Sequence, residues 1–405
     1  MEKVKLGMKE NWQQFTLLVI INAFVGGMIG LERSIFPLLA EKEFSVASQT
    51  AVLSFIVAFG LTKAVCNYFT GRLANRIGRK NLLVIGWVFA LPIPYILIYA
   101  DAWAWIVLAN ILLGINQGLT WSMAVVMKID LVGPQKRGLA VGINEFAGYL
   151  SVGLVAFLTG YIAQTYGVRP YPFYMGIVFS LLGLFLSALF VKDTHLHVSS
   201  ESIKSQIPAL NNVFLDTSFL NKSLSGITQA GLVNNLNDGM VWGLLPVVLS
   251  IKHFTITEIG ILSAVYPTTW GISQLFTGKL SDIYSKKKLL FIGMLVQAIA
   301  IIALLKAETF THFSLIGLSL GLGTALVYPT FINAIADFTS PKQRAESLGV
   351  FRFWRDAGYA IGALFTGIIA DILGLDYSIF LIGFITLLSA IIVWMRVEDK
   401  TLDVS

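Results

Sequence analysis

The stretch GRLANRIGRK, residues 71–80, carries four positive charges between long apolar segments. Of the 405 residues in the chain, 56% are hydrophobic and only 13% are charged, and the mean hydropathy is +0.75. This much apolar surface exceeds what the core of a water-soluble protein can bury. The composition therefore predicts a membrane protein in which residues 71–80 form a loop.

Several functional classes are disfavoured by the same composition. The pI is near 9.2, but the basic residues are scattered between apolar runs, so we expect no nucleic-acid partner. The single cysteine, Cys66, cannot form an intramolecular disulfide, and four dispersed histidines offer no metal-ligand set. A glycine-rich phosphate loop is absent. We expect no metal, no cofactor, no ATP hydrolysis and no enzymatic activity.

Apolar runs of about 20 residues, the length that crosses a bilayer as a helix, recur along the whole chain. Backbone groups in lipid must be paired within the segment, and the alternation of a β-barrel is missing, so each run predicts a helix. The fold class is all-α integral membrane. Twelve spans are predicted at 14–38, 47–70, 81–100, 103–127, 138–164, 172–191, 222–250, 257–277, 288–306, 311–336, 343–370 and 376–395.

The lysines and arginines are distributed unequally between the two sides. If the N-terminus lies inside, 21 of the 29 fall in inner segments, four in outer loops and four within spans. This bias follows the positive-inside rule and predicts that both termini are cytoplasmic. A purely topogenic role, holding the loop in the cytoplasm, is therefore one interpretation of residues 71–80.

An internal repeat indicates a second role for this loop. Adding 207 to the residue number carries GRLANRIGRK onto GKLSDIYSKK at 278–287, LVGPQKRG at 131–138 onto FTSPKQRA, and TGYIAQTYG at 159–167 onto TGIIADILG. One offset joins three separated segments. We therefore predict an N-terminal six-helix lobe at 1–191, a cytoplasmic linker at 192–221 and a C-terminal six-helix lobe at 222–405.

The twelve spans, the half-repeat and the 71–80 motif together resemble the major facilitator superfamily over essentially the whole chain. The family loop has a glycine, then after three intervening residues an acid followed by a basic residue, and after one more residue a second glycine and two basic residues. Here Asn75 replaces the usual aspartate, whereas the second copy keeps the acid as Asp282 but has Ser285 in place of the second glycine. The resemblance implies two pseudo-symmetric six-helix bundles, twelve transmembrane helices and a substrate bound near mid-membrane.

The resemblance also implies that the loop residues form an inner gate. A glycine lets two helices approach closely, an acid one turn on can face the positive N-terminal end of a neighbouring helix, and basic residues meet carboxylates on the cytoplasmic rim. We pair Asp130 with Arg137 and Asp337 with Arg344 in this ionic cluster. The gate motif comprises Gly71, Asn75, Arg76, Gly78, Arg79, Lys80, Asp130, Arg137, Gly278, Asp282, Lys286, Asp337 and Arg344.

In the family, the first, fourth, seventh and tenth helices line the central cavity. Polar and aromatic residues recur on one face of these spans at spacings of three and four. Packing of small residues with an aromatic filler is the alternative interpretation of these stripes. The substrate-binding candidates are Asn110, Gln117, Trp121, Asn235, Trp242, Thr324 and Tyr328, with the intramembrane cations Lys63, Arg352 and Arg355.

Charged residues inside spans are costly and mark either ion pairs or functional sites. Those of this chain sum to zero formal charge, so structural ion pairs remain an alternative. Burial in a low dielectric makes a carboxylate bind its proton more readily. We rank the proton-coupling candidates as Asp238, near the middle of the seventh span, then Glu32, which adjoins Arg33, and then Glu145, which a nearby cation would hold ionised.

These observations predict a secondary transporter in the cytoplasmic membrane that exports a small organic solute against protons. Its expected partners are the substrate, protons and the lipid bilayer, and we expect it to be a monomer. Two family features of drug exporters are missing: the fifth span lacks the glycine-proline signature, and Asn110 stands where an arginine is common. A symporter or uniporter for an organic anion or metabolite is the first alternative. A non-transporting membrane receptor or assembly partner is the second.

Overall fold

The structure, a computed structural model, describes residues 5–33, 36, 39, 43–44, 49–254 and 256–399. Within this part of the chain every regular element is helical, in agreement with the predicted fold class. The chain forms two compact units, Met1–Pro134 with Ile143–Ser205, and Gln135–Gly142 with Gln206–Ser405. The first residues of one long helix thus belong to the second unit.

Eight α-helices are numbered in the described part of the first unit. They are α1 (Trp12–Arg33), α2 (Gln49–Leu73), α3 (Arg79–Ala90), α4 (Pro92–Tyr99), α5 (Trp103–Val132), α6 (Arg137–Tyr166), α7 (Tyr174–Leu189) and α8 (His195–Lys204). Pro92 lacks a backbone N–H and begins α4 directly after Leu91, so the third predicted span consists of two short helices in line.

The second unit contains six long helices. They are α9 (Lys222–Ile251), α10 (Ile256–Ile283), α11 (Lys286–Ala303), α12 (Phe310–Asp337), α13 (Arg344–Leu373) and α14 (Leu375–Arg396). Side chains cap three of them: Asn221 accepts from the Leu224 N–H at 3.0 Å, Ser285 from Lys288 at 3.2 Å and Thr309 from His312 at 3.2 Å. These contacts satisfy backbone donors that a helix start leaves unpaired.

Nine helical segments of the described chain are long and apolar enough to cross a membrane. The predicted spans at 47–70, 222–250 and 257–277 coincide with α2, α9 and α10, which are not among those nine. In α9 the polar residues Asn234, Asn235, Asn237 and Asp238 lie close together and are all buried. The seventh span is therefore a helix whose polar face is covered by protein.

The predicted linker is partly folded, contrary to our expectation of a solvated connector. It contains α8 and a short helical segment at 213–220. Thr194, Val198 and Glu201 are buried, and the His197 Nε2 lies 3.1 Å from the Asn11 Oδ1. Burial lowers the pKa of His197, and the nearby Asp130 carboxylate offsets this in part. The composition alone did not predict this helix, because its apolar residues, spaced three or four positions apart, lie in a mostly polar stretch.

Candidate functional site

Asp238 lies at the centre of a buried polar chain in the second unit. Its carboxylate, on α9, accepts a hydrogen bond from the Tyr266 hydroxyl on α10. The Tyr266 hydroxyl oxygen is in turn 3.2 Å from the Thr324 hydroxyl on α12. Each of the three residues is at most 4% exposed. Three helices thus converge on one carboxylate that water does not reach in this structure.

Aromatic rings extend from this polar chain. The Tyr266 ring stacks on Trp270 with centroids 6.1 Å apart, and Trp270 meets Tyr328 edge-on at 6.2 Å. The Arg355 guanidinium lies 4.2 Å from the Tyr328 ring centroid, and its Nη1 is 3.3 Å from the Asp356 carboxylate. A cation at this distance from an aromatic face is attracted by the ring. Asp238 and Arg355 therefore contact the same cluster of aromatic side chains, Asp238 through Tyr266 and Arg355 through Tyr328.

The predicted stripe on α9 consists of Gly231, Asn235, Asp238 and Trp242. In the structure these residues lie in different environments. Asn235 is buried, with an Oδ1 that has no hydrogen-bond partner among the described residues. Trp242 is 46% exposed. Gly231 lies against the Phe351 ring of α13, since a Cβ there would come within 2.3 Å of it. Of this stripe, Asn235 and Asp238 are the buried polar members.

On α5 the predicted face also divides. Asn110 donates to the Ile106 carbonyl of its own helix at 3.0 Å, and Gln117 donates to the Val25 carbonyl of α1 at 2.9 Å. Gly114 packs against α2, where a Cβ would meet the Phe59 carbonyl oxygen at 2.8 Å. Close packing thus accounts for the glycine, while Gln117 bridges two helices.

Trp121 completes the face on α5. Its indole N–H donates to the Glu145 Oε1 on α6 at 2.9 Å, and its ring meets Tyr149 edge-on at 5.6 Å. Gly148 makes room for the indole, because a Cβ at 148 would lie 2.5 Å from it. Gly153, further along α6, has open space around it in the described structure.

Sequence analysis missed the residue that faces Glu145. Lys128, which we counted with the inner loops, is part of α5 and is 0% exposed. Its Nζ donates to the Asn144 Oδ1 at 2.5 Å, and the Asn144 Nδ2 donates to the Glu145 Oε1 at 2.8 Å. The sequence did contain a signal for this. No helix-ending residue stands between the apolar run and Gly133, so α5 continues past the run and includes Lys128.

The other charged candidates lie at separate places. Lys63 on α2 is half-buried, with its Nζ 5.7 Å from the Phe59 ring centroid. Arg352 on α13 and Glu32 near the end of α1 are both buried. The Arg33 side chain lies outside the described residues, so its pairing with Glu32 stays a prediction.

The first copy of the gate motif forms an ion pair inside the first unit. The Arg79 Nε is 2.7 Å from the Asp130 carboxylate, and both side chains are 1% exposed. The Thr194 hydroxyl donates to the same carboxylate at 2.8 Å, and the Lys80 N–H donates to Asp193 at 2.9 Å. Gly71 is buried, whereas Asn75 and Arg76 are exposed. The beginning of the linker thus covers the basic end of the motif.

Gly78 occupies a backbone conformation that suits glycine. Its φ is +93° immediately before α3, in the region that disfavours residues with a Cβ. Ser285, its counterpart in the repeat, has φ −54° and caps α11 instead. The two copies of the loop therefore turn differently, which explains how the second copy does without its glycine.

The second copy of the motif binds the start of α6 within the second unit. The Asp282 carboxylate accepts from the Gly138 N–H at 2.7 Å and from the Leu139 N–H at 2.8 Å. Gly278 allows this approach, since a Cβ there would lie 2.5 Å from the Gly138 carbonyl oxygen. A carboxylate at a helix N-terminus meets unpaired N–H groups and the positive end of the helix dipole.

Two further ion pairs of the gate motif meet at Asp337. Lys286 lies 2.8 Å from Asp337, and Arg137 lies 3.4 Å from the same residue. The pairings of Asp130 with Arg137 and of Asp337 with Arg344 stay predictions. Arg344 is buried.

Comparison with known proteins gives a consistent family. A family model described as Major Facilitator Superfamily matches residues 16–231 and 227–404. The chain is 25% identical over 384 residues to the "proton-coupled antiporter flippase LtaA" of Staphylococcus aureus (strain USA300), covering 92% of this chain and 91% of that protein. It is 26% identical over 180 residues to an uncharacterized MFS-type transporter of Methanocaldococcus jannaschii, spanning about half of that relative, 47%.

Two solved structures share the fold at low sequence identity. The human organic anion transporter MFSD10 matches with a TM-score of 0.77 at 15% identity, over 94% of this chain and 99% of that one. The Escherichia coli fucose:proton symporter FucP matches with a TM-score of 0.76 at 13% identity, over 95% and 98%.

Proposed function

The chain belongs to the major facilitator superfamily, and on this premise we propose that it exports a small organic solute in exchange for protons, with Asp238 as the coupling carboxylate. The family and the all-helical, multi-pass membrane fold are those predicted from the sequence. The chain is a membrane transporter and not an enzyme. The substrate, the direction of transport and the coupling site are the proposed parts.

The observation that carries the coupling proposal is the hydrogen bond between Asp238 and Tyr266. A tyrosine hydroxyl can donate to an ionised carboxylate and can accept from a protonated one. Asp238 can therefore keep a partner in both charge states while it remains buried. The second hydroxyl, on Thr324 at 3.2 Å, lets the Tyr266 hydroxyl reorient without losing its own partner.

Antiport is supported by the staphylococcal relative, whose name describes a proton-coupled antiporter and which aligns over most of both chains. The alternative, a symporter or uniporter for an organic anion or metabolite, is supported by the buried Arg352 and Arg355. We rank it second because the Arg355 guanidinium already lies on the Tyr328 ring and beside Asp356. Those contacts would have to be exchanged for an anionic substrate.

The gate motif supplies the proposed switch. Bonds from the Gly138 and Leu139 N–H groups to Asp282 hold the start of α6 against the end of α10. We infer that these bonds form and break as access alternates between the two sides of the cytoplasmic membrane. The proposed position of both termini in the cytoplasm fits the charge bias.

Replacing Asp238 by asparagine tests the coupling role. Substrate is first identified in proteoliposomes by screening pooled metabolites for flux driven by an imposed pH gradient. Asp238→Asn should then abolish gradient-driven accumulation and leave substrate exchange measurable, because asparagine keeps the shape but cannot carry the proton. Asp371→Asn, an exposed carboxylate on α13, is the control and should behave as wild type. Accumulation by Asp238→Asn at the wild-type level would rule out this coupling site.

A further inference from the structure

Lys128 is a fully buried cation that the proposed transport mechanism does not use. It lies on α5 about 6 Å along the axis from the last residue of the helix, at 1.5 Å per residue. Its Nζ donates to the Leu18 carbonyl of α1 at 2.9 Å and to the Asn144 Oδ1 of α6 at 2.5 Å. Neither acceptor is charged. An ammonium group at 0% exposure needs a counter-charge to offset its loss of water.

The Asn144 side chain connects this cation to an anion. Its Oδ1 accepts from Lys128, and its Nδ2 donates to the Glu145 Oε1 at 2.8 Å. The Asn144 backbone carbonyl accepts from the Asn22 Nδ2 at 2.8 Å, which fixes this part of α6 against α1. The same Glu145 oxygen accepts from the Trp121 indole at 2.9 Å. We name this series, Lys128, Asn144, Glu145 and Trp121, the α5–α6 relay.

The charges at the relay balance. Among the described contacts of α1, α5 and α6 at the relay, the charged groups are Lys128 and Glu145, which are joined through the Asn144 amide. Asp130, two residues further along α5, faces Arg79 and Thr194 instead. Along α1 the relay meets the Leu18 carbonyl and the Asn22 amide, which are both neutral.

The internal repeat indicates that the fold does not require the α5–α6 relay. Adding 207 carries Lys128 onto Ile335, Asn144 onto Phe351 and Glu145 onto Arg352. The second unit therefore builds the equivalent pair of helices, α12 and α13, with apolar residues at the first two positions and with the opposite charge at the third. A helix pair of this kind does not require the relay, so its cost in the first unit calls for a role of its own.

We propose that Lys128 is a positioning residue that balances the Glu145 carboxylate through the Asn144 amide and thereby holds the Trp121 indole on the predicted substrate face. The Glu145 Oε2 is buried and has no hydrogen-bond partner among the described residues, so the position of this carboxylate depends on the two donors at Oε1. The meaning of Trp121 as a substrate contact rests on the proposed function, but the charge pairing does not.

The charge pairing is tested first without transport, by thermal unfolding of purified protein. Lys128→Met keeps an unbranched side chain and removes the charge. Breaking one side of a buried pair costs enough to lower the Tm by about 10 °C. Lys128→Met combined with Glu145→Gln should recover most of the Tm. Lys136→Met, at an exposed lysine, is the matched control.

The opposite results would overturn the proposal. If the two single losses add in the double variant, Lys128 acts only as a hydrogen-bond donor. Should Lys128→Met fail to reach the membrane, the double variant decides, because recovered abundance supports the pair and continued loss contradicts it. Lys128→Arg, which keeps the charge, should stay closer to wild type than Lys128→Met.

The positioning role is then tested by transport in the same vesicles. Lys128→Met should raise KM more than it lowers kcat, since Trp121 loses its fixed acceptor. An unchanged KM with a lowered Tm would overturn the positioning role. If wild type shows no proton-driven flux while the stability cycle holds, the proposed function fails and the charge pairing stands.

Discussion

The proposed proton coupling at Asp238 would depend on a single hydroxyl group, that of Tyr266. The carboxylate is buried, and the hydrogen bond from this hydroxyl links it to the Thr324 hydroxyl. A buried hydrogen bond to a charged group contributes about 1.5–3 kcal/mol. Losing it would therefore change the balance between the two charge states of Asp238 more than it changes packing.

We expect Tyr266→Phe to lower gradient-driven accumulation by about tenfold, which corresponds to about 1.4 kcal/mol at the low end of that range. The ring is kept, so its stacking on Trp270 should survive. The pH dependence of accumulation should change together with its size. Tyr95→Phe, at a residue that is 46% exposed, is the control. Identical pH profiles for Tyr266→Phe and wild type would show that the hydroxyl is not part of the coupling site.

Single residues were predictable where a polar group interrupts an apolar run. Asp238 was found in this way, because few polar residues of α9 can face lipid. Tyr266 and Trp270 were not, since aromatic residues are ordinary in a membrane helix and α10 is outside the lining helices that the family resemblance names. Lys128 was misplaced because the apolar run ends before the helix does. Only the packing of α1 and α6 against it shows that it is buried.

Among the elements, the start of α6 is held by one carboxylate. Asp282 accepts from two consecutive N–H groups there and also from the Asn333 amide at 3.0 Å. Bonds of this kind at a helix N-terminus contribute about 1–2 kcal/mol. Its counterpart in the repeat, Asn75, is neutral and exposed. The second copy of the gate motif therefore has the stronger hold on a neighbouring helix.

Asp282→Asn should slow transport by about tenfold, whereas Asn75→Ala should leave the rate within about twofold of wild type. The asparagine at 282 loses the negative charge and turns one oxygen acceptor into a donor, which the α6 N–H groups cannot use. Initial rates are compared at equal membrane abundance. Equal rates for the two variants would remove the gate argument for the second copy.

Helices α9 and α13 pack backbone to backbone at glycines of both helices, of which Gly239 lies on α9. A Cβ at Gly239 would lie 2.6 Å from the Tyr359 carbonyl oxygen and 2.8 Å from the Ala363 nitrogen, and neither atom can rotate away. Gly243, one turn further along α9, has open space around it in the described structure. The two positions differ in their neighbours but not in their helix.

Gly239→Ala should destabilise the protein by about 1–3 kcal/mol, the usual cost of overpacking. Gly243→Ala should be neutral or stabilising by up to about 1 kcal/mol, because alanine favours the helix. Thermal unfolding in detergent measures both. A loss of Tm in Gly243→Ala as large as that in Gly239→Ala would mean that the glycines matter for helix flexibility and not for close packing.

At the scale of the whole molecule, the two halves of the repeat share the ion pair of the gate motif but differ in the contacts between their central residues. The pair Arg79–Asp130 becomes Lys286–Asp337 under the offset of 207, at 2.7 and 2.8 Å. The contact of Gly148 with Trp121 becomes that of Arg355 with Tyr328. Spacing and repetition were enough to predict the fold class and the family. The centres could not be predicted equally well, because they depend on which neighbouring helix each side chain meets.

The orientation of the chain in the membrane is a prediction from charge that labelling can test. The basic residues fall mainly in segments assigned to the cytoplasm, so a cysteine in the linker should be reached only from that side. Gln206, next to Ser205 and exposed, is the position to use, in a background where Cys66 is replaced by serine. Glu308, exposed between α11 and α12, is the matched position on the predicted outer side. In intact cells a membrane-impermeant maleimide should label Glu308→Cys and spare Gln206→Cys, and inverted vesicles should reverse the pattern.

Because Lys128 is buried in α5, the inner segments lose one of their counted charges, but the bias of the remaining basic residues keeps its sign. Labelling of Gln206→Cys in intact cells would therefore overturn the topology, and with it the assignment of the gate motif to the cytoplasmic face.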